Sequence, residues 1–337
     1  MHNLKSLPKT SVPQQNVFNL LKGFACISVV FIHVRFPGVV GDIIWKLSQY
    51  AVPIFLIISG YFAYQKDEMI VKKRLQKVLK IFLVSYACFF AYHALLSLVN
   101  HSFSDWFARS FNLSTPIKYL AFCTINFAIV LWYLIAMIET YIVWYFVVKF
   151  KKEQLLLWLM PLLFLLKIAL TTYCETKNLP WMFKINFLTC AMPFFLFGYY
   201  IHKKEIFFKQ FHYAVLIAVA VTGGIISLLP ILFDMPINFS VVGVIIYSLA
   251  IFAFINKLPN KSYCKPIEYV GSKLSLNVYV FHVLILSVVA YGCRFFNINI
   301  NSGIGGWFRP LLIVALAIIF ALAIEWTKNY LRKRNLF

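Results

Sequence analysis

The sequence predicts an all-α integral membrane protein: a helical bundle of about ten transmembrane helices with both termini cytoplasmic. Three observations predict it. Of 337 residues, 62% are hydrophobic and only 13% carry Asp, Glu, Lys or Arg, too few to cover a water-soluble surface. The apolar residues fall into ten runs near 17–34, 43–64, 79–99, 127–148, 155–172, 186–201, 212–229, 238–255, 275–292 and 310–327. Charge is also distributed unequally. With a cytoplasmic N-terminus, 22 of the 32 basic residues fall on the cytoplasmic side, eight fall outside, and Lys22 and Lys167 lie within spans.

The runs divide the chain into a polar tail at 1–16, one membrane domain at 17–327 and a basic tail at 328–337. The first run follows a polar segment and has no small-residue cleavage site after it, so it reads as a retained span. Pro53 and Pro193 interrupt apolar runs, which suits helices packed on one another. The run at 186–201 is short for a full crossing, and the connection 100–126, with its aromatic residues and Pro116, suits a short helix along the interface. No inverted repeat is apparent. The net charge of +21 on so apolar a chain reads as an orientation signal, and a nucleic-acid partner is not expected. The seven cysteines are scattered without metal-ligand spacing, so neither a disulfide framework nor a metal is assigned.

Within the spans, ionisable side chains stand out, because charge inside a bilayer is costly. Lys22 precedes His33 by eleven residues in the first run. That spacing returns a helix to within about 20° of its starting direction and separates the two by about 16 Å along the axis. His33 reads as functional. For Lys22 a functional role and a lysine reaching to the headgroups stay equally open. Arg74 and Lys77, three residues apart before the third run, form a basic face able to grip a polyanion, although spacing alone favours a simple topology signal. Ser275, Tyr279 and His282 recur at spacings of four and three along one helical face, as interhelical glue or as catalytic groups. Glu139 is a further ionisable group deep in a span, expected to pair with a lysine or arginine, whereas Glu325 lies near a span end and carries little weight.

Six stretches in order resemble the membrane acyltransferase-3 family, which includes sugar and surface-polysaccharide O-acetyltransferases. They are Asn19-Leu20-Leu21-Lys22-Gly23 with His33, Pro53-x-Phe55-x-x-x-Ser59-Gly60, Arg74-x-x-Lys77, Leu131-Trp132-Tyr133-Leu134, Pro193 to Tyr199, and Ser275-x-x-x-Tyr279-x-x-His282. The family pattern has an acidic residue and an arginine where Asn19 and Lys22 stand, and a second arginine where Lys77 stands. Lysine keeps the charge at the two basic positions and loses the bidentate fork.

The resemblance implies transfer of an acyl group, most often acetyl from acetyl-CoA, to a hydroxyl of a surface glycan or lipid-linked sugar in the bacterial cytoplasmic membrane. The acyl-CoA is then a donor substrate and not a permanently bound cofactor. It raises Arg74 and Lys77 to donor-phosphate ligands, His33 to general base or covalent acyl carrier, and Lys22 to a donor-positioning or charge-stabilising group. Asn19, Ser59, Trp132, Glu139, Ser275, Tyr279 and His282 become substrate or structural supports. Partners implied are the acyl-CoA, the glycan, membrane lipid and other envelope-glycan synthesis proteins. The rival reading is a proton-coupled transporter or flippase with His33, Glu139 and His282 as a proton relay, and a non-catalytic scaffold is a weaker third.

Overall fold

A bilayer interior offers no water to an unpaired backbone N–H or C=O, and the chain meets this constraint with helices. The computed structural model describes residues 15–233 and 235–334, and among these every regular element is helical. Lys5, Lys9 and most of the expected N-terminal tail lie outside the described residues, as do the last three positions of the C-terminal one.

In chain order the helices are α1 (Gln15–His33), α2 (Gly38–Leu47), α3 (Ala51–Tyr61), α4 (Glu68–Val99), α5 (Phe103–Ser110), α6 (Thr115–Phe122), α7 (Trp132–Lys149) and α8 (Glu153–Thr176). They continue as α9 (Met192–Lys203), α10 (Glu205–Gln210), α11 (Tyr213–Leu232), α12 (Ile237–Lys257), α13 (Lys265–Tyr269), α14 (Ser275–Phe295) and α15 (Gly303–Lys333). Among the described residues nine helical segments are long and apolar enough to cross a membrane. Three of them are composite. A 3₁₀ turn at Ser48–Tyr50 joins α2 to α3, a 3₁₀ turn at Ile129–Leu131 leads into α7, and a π turn at Val270–Leu274 joins α13 to α14.

The tenth apolar run is the short one. It comprises a π turn at Phe187–Ala191 followed directly by α9. Asn186 starts it with a capping box: its side-chain oxygen accepts from the backbone N–H of Leu188 at 3.0 Å and of Thr189 at 3.1 Å. This segment need not span lipid alone, since Met192 to Tyr199 are all buried against neighbouring helices. By contrast, α8 turns Leu155, Trp158, Leu162 and Leu165 outward as an apolar jacket.

The core centres on α3, α7 and α9. Apolar side chains gain little by leaving lipid for one another, so close backbone approach has to supply much of the contact. Glycine provides it where α3 crosses α9: a Cβ on Gly60 would fall 1.8 Å from the Phe195 carbonyl oxygen, and one on Gly198 would fall 1.9 Å from that of Ile57. Ser59-Gly60 and Phe197-Gly198 are thus the two halves of one crossing. The connection after α4 holds two short helices, α5 and α6, where a single interfacial helix was expected. At the other end of the chain α15 continues through Lys333, so Lys328, Arg332 and Lys333 ride on its last turns.

Candidate active site

Helix α1 is unbroken from Gln15 to His33, so the eleven-residue spacing holds Lys22 and His33 about 16 Å apart along one axis. Its first half packs on the π turn before α14. A Cβ on Gly271 would lie 1.8 Å from the Asn19 carbonyl oxygen, so only glycine permits this approach. The contact sets the register between the two segments. Eleven residues after Gly271 and fourteen after Asn19, His282 and His33 come together with ring centroids 5.0 Å apart and planes inclined at 51°.

His282 is wholly buried, and its Nδ1 lies 2.7 Å from the Tyr279 carbonyl oxygen and 3.1 Å from that of Val278. A carbonyl oxygen only accepts, so Nδ1 carries the proton and Nε2 keeps its lone pair. That Nε2 is buried and has no hydrogen-bond partner among the described residues. His33, half-buried at the end of α1, is the side chain placed beside it. The pair is therefore one imidazole of fixed tautomer next to a second that is less enclosed.

From this pair a line of hydroxyl-bearing side chains runs back through the bundle. The Tyr279 hydroxyl donates to the Val130 carbonyl at 3.1 Å, and its ring lies 5.0 Å from that of Tyr133. Tyr133 and Tyr141, on α7, stand within electrostatic range of Ser59 near the end of α3, and Tyr141 also of Arg74 on α4. Ser59 in turn donates to the Phe55 carbonyl at 2.8 Å, which fixes its position. Lys22 and Lys77 stand within electrostatic range of each other. Among the described residues none of Lys22, Arg74 and Lys77 is paired with a carboxylate. A polyanion would meet all three charges uncompensated.

Some of the residues expected here do other work. Ser275 donates to the Gly271 carbonyl at 2.8 Å and so serves the π turn, while Tyr279 and His282 from the same stripe face the site. Glu139 has no lysine or arginine partner among the described residues: the Cys123 thiol donates to its Oε2 at 3.1 Å. Cys123 ends α6 in a left-handed conformation, φ +50°, and so delivers its thiol to α7 from the interfacial connection. Trp132 is half-buried at the start of α7, and its ring contact is with its neighbour Tyr133 at 6.4 Å. Tyr133 falls within the Leu131-to-Leu134 stretch of the sequence, but neither it nor Tyr141 was named there as a site residue. Their spacing of eight, with the phenols on one side of α7, was the available signal.

The fold and site define a multi-pass helical membrane protein with a paired histidine site in the bundle and a basic cluster some 16 Å along the first helix from it. Residues 16–326 match a family model described as an acyltransferase domain, so the chain belongs to the acyltransferase-3 family and is a membrane acyltransferase. That membership favours the enzyme over the transporter and scaffold readings. No curated protein and no solved structure matches the chain.

Proposed function

We propose that this acyltransferase moves an acetyl group from acetyl-CoA to a hydroxyl of a surface glycan or lipid-linked sugar, in a bacterial cytoplasmic membrane with both its termini in the cytoplasm. The observation that carries the reading is the His33–His282 pair, with His282 Nδ1 committed to backbone carbonyls and its Nε2 lone pair left beside His33.

Arg74, Lys77 and Lys22 take the donor's phosphates, the arginine through two N–H groups and the lysines as point charges. The donor's flexible arm spans the roughly 16 Å between this cluster and His33. There, a neutral His33 accepts the proton of the acceptor hydroxyl as its oxygen attacks the thioester carbonyl carbon. The C–S bond breaks, the ester C–O bond forms, and the proton passes from His33 to the departing thiolate. His282 orients His33 through its lone pair and does not itself need to exchange a proton. In the two-step variant His33 attacks first and carries the acyl group, and the hydroxyl then displaces it. A quench during turnover separates the two routes, since only the second leaves label on His33.

Purified protein in liposomes, given acetyl-labelled acetyl-CoA and envelope polysaccharide, is the test. Label on the polysaccharide that depends on His33 supports the reading; consumption of donor with no labelled glycan overturns the choice of acceptor.

A further inference from the structure

A cavity of about 450 Å³ lies between the last turns of α4, helix α5 and residues 126–127, within the roughly 300–1,000 Å³ typical of small-ligand sites. Helix α4 is continuous, so Asn100 at its end stands about 39 Å along the axis from Arg74. The cavity therefore opens at the end of the bundle opposite the basic cluster.

Its lining mixes three kinds of group. Trp106 supplies an aromatic face held between Phe90 at 5.5 Å and Phe127 at 5.8 Å, and its indole N–H is buried without an acceptor among the described residues. Such an N–H is costly until an incoming oxygen accepts from it. Arg109 has its Nε committed to the Asp105 carbonyl at 3.1 Å and forms no ion pair among the described residues, so its terminal NH₂ groups remain as donors. Asn100, Ser102 and Asn126 offer both donors and acceptors, and Asn126 Nδ2 ties the wall together by donating to the Arg109 carbonyl at 3.1 Å. Among the described residues no Asp or Glu lines the cavity.

Hydroxyl groups that donate and accept, arrayed around a ring with an apolar C–H face, satisfy all three features at once. We propose that this cavity anchors a saccharide segment of the acyl acceptor, an inference that rests on the glycan-acceptor reading above. The position suits the role. Phe127 in the cavity wall precedes the short turn Ile129–Leu131, whose Val130 carbonyl receives the Tyr279 hydroxyl, and Tyr279 lies one turn before His282. A sugar seated here is thus one short segment away from the histidine pair.

The test uses full-length protein in liposomes, labelled acetyl-CoA, and deacylated envelope polysaccharide from cells lacking the protein as the probe. Arg109→Ala is expected to raise the polysaccharide concentration for half-maximal labelling about tenfold, the scale of one charge-assisted hydrogen bond. Trp106→Phe, which keeps the aromatic face and deletes the N–H, raises it about threefold. Both leave the acetyl-CoA requirement unchanged. Unaltered polysaccharide dependence in both variants, or a parallel rise in the acetyl-CoA requirement, overturns the inference. Failure of the unaltered protein to label polysaccharide at all is a different result, and it overturns the glycan-acceptor reading itself.

Discussion

At one end of the polar line Lys77 is exposed and Lys22 and Arg74 are half-buried. At the other end His282 is sealed from solvent and His33 is the more open member of the pair. Charge that is solvated binds through long-range attraction and tolerates small displacements, because its energy falls off slowly with distance. A buried lone pair of fixed direction has value only at one geometry. Under the proposed function the first end supplies affinity for the donor and the second the chemistry, and substitutions at the two ends should therefore separate in kinetics.

The largest effect is expected from His33→Ala, a fall in turnover of about a thousandfold or more, as for loss of a general base or nucleophile, with membrane abundance preserved. Transfer assays on protein quantified in the membrane check it. His282→Ala should lower turnover about ten- to a hundredfold, because His33 loses the group that orients it. The acetyl-CoA KM should stay near its original value, and a rise in KM equal to the fall in turnover would place His282 in donor binding instead. Arg74→Ala reverses the pattern: the acetyl-CoA KM rises about tenfold or more, with a smaller change in turnover. Smallest is Lys77→Arg, which restores a forked donor beside Arg74 and should lower the donor KM by about two- to threefold. A comparison of KM at low and high salt sharpens the contrast, since only the solvated cations are screened.

Much of this architecture was readable from the chain because membrane helices obey a length rule, and the run at 186–201 is visibly short in the sequence. What the runs did not carry was enclosure. The α7 and α8 segments have comparable apolar content, yet half of the best window in one is buried and 6% in the other, since hydropathy does not distinguish lipid from protein as a neighbour. At the candidate site, Lys22 and His33 were conspicuous in the sequence as ionisable groups in a span. Tyr133 and Tyr141 were not singled out because a phenol in an aromatic-rich span looks like packing, and the polar groups near them, Ser59 and for Tyr141 also Arg74, come from other helices. The Glu139–Cys123 contact was hidden for a similar reason: the thiol comes from a connection whose left-handed turn no spacing announces.

The division of labour between the two ends is tested most directly by measuring acetyl-CoA binding and acetyl transfer together in His33→Ala. Binding as tight as in the unaltered protein is expected, with no transfer to glycan above the uncatalysed rate. Transfer at more than about a tenth of the original rate, or loss of donor binding in step with transfer, would contradict it.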